Sequence, residues 1–178
     1  IESNDLQTKA NNAIKFLKKG DKVKVELRFR GRELGHKDIG KEVMLKFIDI
    51  VNTGKGIDIG SRHITVSTCG IVPKIREFMN YPKQVNLAIS FHAPNNKIRS
   101  SIMNINKAYP IEELIEAIKE YIEKTNRRVT FEYIMLKDVN DSVECAIELS
   151  NLLRGINCYV NLIPYNETSH IEYRKTDR

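Results

Sequence analysis

The chain has no tryptophan, only three cysteines and five prolines, and no apolar run approaching eighteen residues. Without such a run, and without a cationic, apolar leader, the sequence predicts neither a membrane span nor a signal peptide. We therefore expect a cytoplasmic protein with no membrane partner. Cys69, Cys145 and Cys158 are odd in number and widely spaced, which is typical of reduced structural thiols and not of a disulfide framework. Their spacing fits no metal-binding motif.

The remaining composition is that of a globular protein. The 178 residues are 41% hydrophobic and 29% charged, which is enough for a core in one domain or two small ones. Residues 1–46 hold 12 Lys and Arg against 7 Asp and Glu, whereas residues 47–178 hold 17 against 16. The net charge is therefore +5 in the first segment and +1 in the second. Such a shift often marks a boundary, here between two segments of different character, 1–46 and 47–178, of what we expect to be a single α/β domain, 1–178.

The first segment reads as helix, strand and helix. A helix capped by one of residues 3–5 ends at Gly20. Apolar and charged residues then alternate over 23–30, which predicts a strand. A second helix follows over roughly 37–51, and the glycines of residues 52–61 end it.

From residue 63 onward, strands and helices alternate. Four further strands are predicted, at 63–68, 85–92, 129–136 and 158–165. Helices begin between them at Pro73, near Ile98, at Pro110, and at Asp141 or Ser142. Together with the strand in the first segment, this alternation predicts a mainly parallel five-stranded sheet with right-handed crossovers.

Each of these strands has one polar face. The polar rows are His63, Thr65 and Ser67; Asn86, Ala88 and Ser90; Thr130 and Glu132; Tyr159 and Asn161. Central strands of a doubly wound sheet are apolar on both faces, so the pattern favours a partial-barrel-like arrangement over a doubly wound one, with the polar face turned to a ligand.

The strand 85–92 is the most informative stretch. It alternates cleanly, and Ser90 and His92 lie at its carboxyl end, where open α/β sheets and β/α barrels bind ligands. The alternative is that these side chains only cap a loop. Glu132 could act as an acid or base, but the sequence offers it no carboxylate or histidine partner, so we interpret it as a polar residue of the core.

The motif R-F-R-G-R-E-L-G-H-K, within a match from Asp5 to about Phe47, resembles the carboxyl-terminal domain of bacterial translation initiation factor three. The resemblance implies contact with small-subunit ribosomal RNA. The matching basic positions are Lys24, Arg28, Arg30, Arg32 and Lys37. The match lacks one strand before the first helix and two after the second. A solvated basic face is the alternative, because phosphate binding needs several well-placed cations.

A second resemblance covers about Phe47 to Asn166. The motifs G-I-D-I-G-S-R-H-I-T-V-S-T-C-G-I-V-P-K-I, N-L-A-I-S-F-H-A-P-N-N-K-I-R, R-V-T-F-E-Y-I-M-L-K-D-V-N-D and V-N-L-I-P-Y-N resemble the bacterial radical-SAM adenine methyltransferases that act on ribosomal and transfer RNA. The family implies a partial β/α barrel that holds S-adenosylmethionine beside an iron-sulfur cluster. By motif position, its cofactor contacts correspond to Ser67, Ser90, Phe91, His92 and Asn166.

The sequence lacks the motifs on which the chemistry of that family depends. It needs a C-x-x-x-C-x-x-C motif, whose three thiolates hold the cluster that reduces the cofactor. This motif, the glycine-glutamate cofactor motif and the two methyl-handling cysteines are all missing. We therefore expect no catalytic residues, no metal site, no iron-sulfur cluster and no enzyme activity. A vestigial S-adenosylmethionine site is the most that we expect of cofactor binding.

Two unrelated families thus meet within one helix. We interpret the chain as a chimera, made by laboratory recombination or, less favoured, by gene fusion, and as a scaffold without native catalysis. The alternative is a remnant that binds RNA or S-adenosylmethionine. We expect any RNA binding to be weak and non-specific.

Self-association is also expected. Five strands cannot close a barrel, so two strand edges stay open. The apolar row of Val23, Val25, Leu27 and Phe29 would favour association if its helices left it uncovered, and we therefore expect a homodimer. The tail after residue 166 either shields an edge or frays.

Overall fold

The structure is a computed structural model that describes residues 3–26, 37–52, 60–167 and 172–177. The chain divides into two compact units, residues 1–64 and 65–178. That the two segments form a single domain stays a prediction. None of the helices in the described ranges combines the length and the apolar character needed to cross a membrane.

The first unit contains two helices, α1 (Ser3–Lys18) and α2 (Lys37–Asn52). Both were predicted from helical spacing. Leu6, Ala10 and Ala13 form the buried stripe of α1. The chain leaves α1 through Gly20, whose φ of +87° is a left-handed conformation that glycine adopts without strain.

The strand predicted for residues 23–30 is not confirmed where the structure describes it. Residues 21–26 form no strand, and Val25 is 39% exposed. Residues 27–30 lie outside the described part of the chain. Alternation fixes which side chains share a face, but a strand also needs a neighbour for its backbone hydrogen bonds. The sheet therefore has four strands among the described residues and not the five we predicted.

The second unit alternates strands and helices. Its elements are β1 (Thr65–Thr68), α3 (Val72–Phe78), β2 (Asn86–Ser90), α4 (Asn96–Ile102), α5 (Ile111–Thr125), β3 (Val129–Met135), α6 (Val143–Leu152) and β4 (Cys158–Pro164). All pairs are parallel, in the order β1-β2-β3-β4. This confirms the predicted α/β architecture with parallel strands. The four described strands do not form a closed barrel.

The core lies on one face of this sheet. Leu87 and Ile89 from β2 and Phe131 from β3 are buried, as the alternation predicted. Leu114 and Ile118 on α5 pack against them in one cluster. Each such side chain contributes roughly 1.5–3 kcal/mol by leaving water. Helices therefore cover one face, and the polar row of each strand lies on the other.

Local capping signals set the helix bounds. Pro110 occupies the N-cap of α5, and Asn126 ends that helix in a left-handed conformation with φ +52°. Ser142, and not Asp141, is the N-cap of α6. Its Oγ accepts a 3.2 Å hydrogen bond from the backbone N–H of Cys145.

The tail returns to the sheet. Lys175 forms an antiparallel bridge with Leu136, and the backbone N–H of Lys137 donates a 2.9 Å hydrogen bond to the carbonyl of Arg174. Lys137 and Asp177 form an ion pair. Residues 172–177 therefore do not fray, because backbone pairing, which needs no apolar periodicity, holds them beside the end of β3.

Candidate functional site

Ser67 and Ser90 lie on the same, polar face of the sheet. Ser67 is paired in register with Ala88, and Ser90 follows Ala88 by two residues on β2. Ser67 is exposed and Ser90 is half-buried. The structure therefore places both hydroxyl groups near the carboxyl ends of neighbouring strands, where a ligand site was predicted.

A tight turn follows Ser90. The backbone N–H groups of Phe91 and His92 both donate to the carbonyl of Glu132, at 3.0 and 3.2 Å. His92 takes a left-handed conformation with φ +62°. The Phe91 ring is fully buried and meets Phe131 edge to face, with the ring centroids 5.1 Å apart. The ring of Phe91 is therefore closed to a ligand, and its backbone N–H and carbonyl are both hydrogen-bonded within the protein.

The imidazole of His92 is hydrogen-bonded to the backbone of β3. Its Nδ1 accepts a 3.1 Å hydrogen bond from the backbone N–H of Ile134. Burial lowers the pKa of His92, and the nearby Arg99 guanidinium lowers it further. A neutral ring whose Nδ1 accepts carries its hydrogen on Nε2. The ring is thus held against β3, where a hydrogen bond with the backbone carbonyl of Glu132 opposes the lowering of its pKa.

Asn140 fixes the backbone around His92. This residue is 2% exposed, and its side-chain amide donates to the carbonyls of His92 and Ile134 at 2.7 and 2.8 Å. Its Oδ1 accepts from the N–H of Leu136 at 2.7 Å. The sequence contained Asn140 within a quoted motif, but its position in a loop gave no sign that it is buried.

Arg99 connects the ends of β1 and β2. It is fully buried on α4. Its Nη2 donates to the carbonyl of Cys69 at 2.8 Å, and its Nε donates to the carbonyl of Phe91 at 3.2 Å. Burial lowers the pKa of Arg99. Sequence reasoning missed this residue, because an arginine in a short helix is ordinarily a surface residue.

A polar network continues from Arg99 to α5. Arg99 Nη1 donates to Asn106 Oδ1 at 2.9 Å, and Asn106 Nδ2 donates to Asn96 Oδ1 at 3.0 Å. The same Asn96 oxygen accepts from the N–H of Ile111 at 2.8 Å. Asn96 Nδ2 donates to the Glu112 carboxylate, which lowers the pKa of Glu112. The loops above β1 and β2 are thus cross-linked to the start of α5.

Asn166 is the last of the predicted cofactor contacts, and Glu132 is the residue that we interpreted as part of the core. Asn166 is exposed and follows β4, which lies two places from β2 in the sheet. Asn161 Nδ2 donates to Glu132 Oε2 at 2.7 Å, so Glu132 has an amide partner on the polar face. The structure brings Ser90, Phe91 and His92 together around Glu132, with Ser67 on the neighbouring strand.

The cysteines do not fit an iron-sulfur cluster. Cys69 follows Thr68, the last residue of β1, and Cys158 is the first residue of β4. The pairings of β1 with β2, β2 with β3 and β3 with β4 place Thr68 level with Val160, so three strand spacings separate the two cysteines. Three strand spacings amount to about 14 Å. Cys145 is buried on α6. Within the described ranges, no group of three or more His, Cys, Asp or Glu residues could hold a metal ion.

The predicted RNA-binding residues are only partly described. Lys24 is exposed, and its Nζ pairs with Glu26 Oε1 at 2.6 Å. Arg28, Arg30 and Arg32 lie outside the described residues, and only the backbone of Lys37, the first residue of α2, is described. The Glu26 carboxylate would thus compete with phosphate for Lys24, the one cation of this set whose side chain the structure describes.

Comparison with known proteins separates the chain into two parts. Residues 1–59 match the family model of the translation initiation factor IF-3 C-terminal domain. The probable dual-specificity RNA methyltransferase RlmN of Spiroplasma citri is 59% identical over 134 residues, which is 75% of this chain and 39% of that protein. The corresponding protein of Acholeplasma laidlawii is 61% identical over 132 residues, 74% of this chain and 39% of that protein.

A solved structure matches as well. The crystal structure of a radical SAM methyltransferase from Sphaerobacter thermophilus aligns with a TM-score of 0.75 at 45% identity, covering 79% of this chain and 41% of that one. The α/β architecture is therefore that of a part of the radical SAM methyltransferase fold. The chain as a whole combines a segment similar to the IF-3 C-terminal domain with one similar to the C-terminal part of RlmN. It spans about two fifths of the length of the curated relatives that it matches, and both predicted resemblances are confirmed.

Proposed function

We propose that the chain is a chimeric α/β scaffold without native catalysis, produced by laboratory recombination. The chimera is supported by the match of residues 1–59 to one family and of the rest to another, and the absence of catalysis by the placement of Cys69 and Cys158 three strands apart. Radical cleavage of S-adenosylmethionine needs three thiolates around one cluster, and these thiols are too far apart to share one.

Reconstitution of the full chain with iron and sulfide under anaerobic conditions tests this part of the proposal. We expect the protein to emerge colourless and without methyl transfer to ribosomal RNA. A matched variant that replaces Cys69, Cys145 and Cys158 by serine should give the same spectrum. An iron-sulfur absorption band in the unsubstituted protein that is lost in the triple variant would contradict the proposal.

We further propose that the carboxyl ends of β1 and β2 keep a remnant nucleoside site. The Ser67 and Ser90 hydroxyls are donors suited to the hydroxyl groups and ring nitrogens of adenosine. The hydrogen bonds from Arg99 to the carbonyls of Cys69 and Phe91, and from Asn140 to the carbonyl of His92, form a frame that holds the strand ends in place. Without a cluster to anchor the amino-acid end of S-adenosylmethionine, a large share of the contacts is absent, so binding is weak at best.

Titration calorimetry with S-adenosylmethionine and with adenosine measures this affinity. We expect similar, weak binding of both ligands, reduced further by Ser90→Ala. Ser150→Ala, which alters an exposed serine on α6, is the matched control and should bind as the unsubstituted protein does. Low-micromolar binding of S-adenosylmethionine that Ser90→Ala abolishes would show a more complete pocket than we propose.

A further inference from the structure

The two edges of the sheet differ in how well they resist pairing. β1 has four residues, whereas β4 has seven and pairs only with β3 among the described strands. Proteins protect edge strands by keeping them short or by placing charged residues on them. The β4 sequence C-Y-V-N-L-I-P contains no charged residue. β4 therefore has neither of these two protections, although Lys175, Thr176 and Asp177 of the tail line a cavity with Leu162 and Pro164 at its carboxyl end.

Apolar side chains are exposed along this edge. Val160 and Leu162 are 39% and 59% exposed. Their register with Phe131 and Tyr133 places them on the helix-covered face. Val160 and Leu162 thus form an apolar patch beside the edge, here called the β4 surface.

We propose that the β4 surface binds a second copy of this chain, through antiparallel pairing of the two β4 strands about a two-fold axis at Asn161. In that register Asn161 lies opposite the partner's Asn161, and Val160 lies opposite the partner's Leu162. Tyr159 lies opposite the partner's Ile163. The two-fold axis repeats this apolar pair, since Leu162 likewise lies opposite the partner's Val160. The segment is therefore complementary to itself, and this favours a second copy of the chain over an unrelated strand.

The ends of β4 suit this arrangement. Pro164 cannot donate a ladder hydrogen bond, and it falls at the end of the paired segment, where that loss matters least. Pairing would extend the four described strands into an eight-stranded sheet across the axis. A two-fold contact closes on itself, so the arrangement predicts a dimer and not a filament. We thus place the dimer surface on β4, whereas the sequence suggested the row beginning at Val23, of which Leu27 and Phe29 lie outside the described residues.

Sedimentation of the full chain over a hundredfold concentration range tests the proposal. We expect a dimer that the double variant Val160→Lys, Leu162→Lys weakens by about tenfold or more, because charge is buried at the pairing edge. Phe16→Lys is the matched control, since Phe16 is 52% exposed on α1, and it should leave the dimer intact. A monomeric mass for the unsubstituted chain throughout, or equal dimerisation of the double variant, would overturn the proposal.

A cross-linking experiment tests the register and does not depend on how the lysine variant folds. In a Cys158→Ser background, Asn161→Cys places two thiols on directly opposite residues, whose Cα atoms lie roughly 4.5–5.5 Å apart and so allow a disulfide. We expect mild oxidation to give a covalent dimer. Tyr159→Cys in the same background places the thiols four positions apart and should not cross-link. Equal cross-linking of the two variants, or none with Asn161→Cys, would refute this register. Neither result bears on the nucleoside site.

Discussion

Arg99 Nη2 lies 2.8 Å from the carbonyl oxygen of Cys69, and this hydrogen bond joins a fully buried guanidinium on α4 to the residue that follows β1. The same guanidinium binds the carbonyl of Phe91, which follows β2. The hydrogen-bonding partners of Arg99 are neutral carbonyl and amide oxygens. Burying a cation is costly unless it is fully hydrogen-bonded, so the frame is stable only while these carbonyls stay in place.

Removal of the guanidinium should therefore destabilise the second unit. We expect Arg99→Met to lower its free energy of unfolding by about 3 kcal/mol, because the carbonyls of Cys69 and Phe91 lose a buried donor. Arg154→Met alters an exposed arginine and should change stability by less than about 0.5 kcal/mol. Urea unfolding followed by tyrosine fluorescence measures this unit alone, since all seven tyrosines lie in it. Equal midpoints for the two variants would contradict the role of Arg99.

Gly70 and Gly155 form a matched pair of tests. Both have positive φ, +99° and +78°. A Cβ at Gly70 would lie 2.9 Å from Leu114 Cδ2 and 3.1 Å from Arg99 Nη2, whereas one at Gly155 meets nothing within 4 Å. We expect Gly155→Ala to cost about 1 kcal/mol and Gly70→Ala about 3 kcal/mol, because only the latter adds a clash to the backbone strain. Thermal unfolding distinguishes them, and equal losses would mean that the Gly70 site relaxes freely.

His92 should make stability depend on pH. Its pKa is lowered in the folded protein, first by burial and then by Arg99, so below pH about 6.5 the unfolded chain binds the proton more readily than the folded one does. This contribution to stability is complete above that pH and declines as the pH falls toward the lowered folded pKa. His92→Asn keeps a residue type that tolerates a left-handed backbone and removes the titration. We expect a smaller loss of stability for this variant between pH 7 and 5 than for the unsubstituted protein.

Urea unfolding at several pH values measures this difference. His63→Asn, which removes an exposed histidine, is the control and should follow the unsubstituted protein. If His92→Asn and the unsubstituted protein lose stability in parallel, the carboxylates alone account for the acid sensitivity.

RNA affinity is expected to be weak. Lys24 is paired with Glu26, so neutralising that carboxylate should release a cation. We expect dissociation constants on the order of 10⁻⁴ to 10⁻⁶ M at physiological salt, without sequence preference. Filter binding with small-subunit ribosomal RNA and a scrambled RNA measures both properties. Glu26→Gln should tighten binding of the two RNAs equally, and nanomolar affinity for the ribosomal sequence alone would refute non-specific binding.

The sequence by itself determined the elements and the core of the second unit. Alternation in β2 identified Leu87 and Ile89 as buried, and helical spacing in α5 identified Leu114 and Ile118. Strand-helix alternation then gave parallel pairing, which the structure confirms. These features were predictable because periods of 2 and 3.6 residues are local properties of the chain.

Only the tertiary structure decided the frame around the candidate site and the number of paired strands. Arg99 meets Cys69 across 30 residues, and His92 meets Ile134 across 42, distances over which no sequence period carries information. Residues 23–26 alternate as a strand does, yet they form none, because an alternating pattern does not supply a pairing partner. The tail has no apolar pattern, yet Lys175 pairs with Leu136, because backbone groups bond irrespective of side-chain type. Side-chain periodicity thus selects faces, whereas packing and backbone hydrogen bonding decide which segments meet.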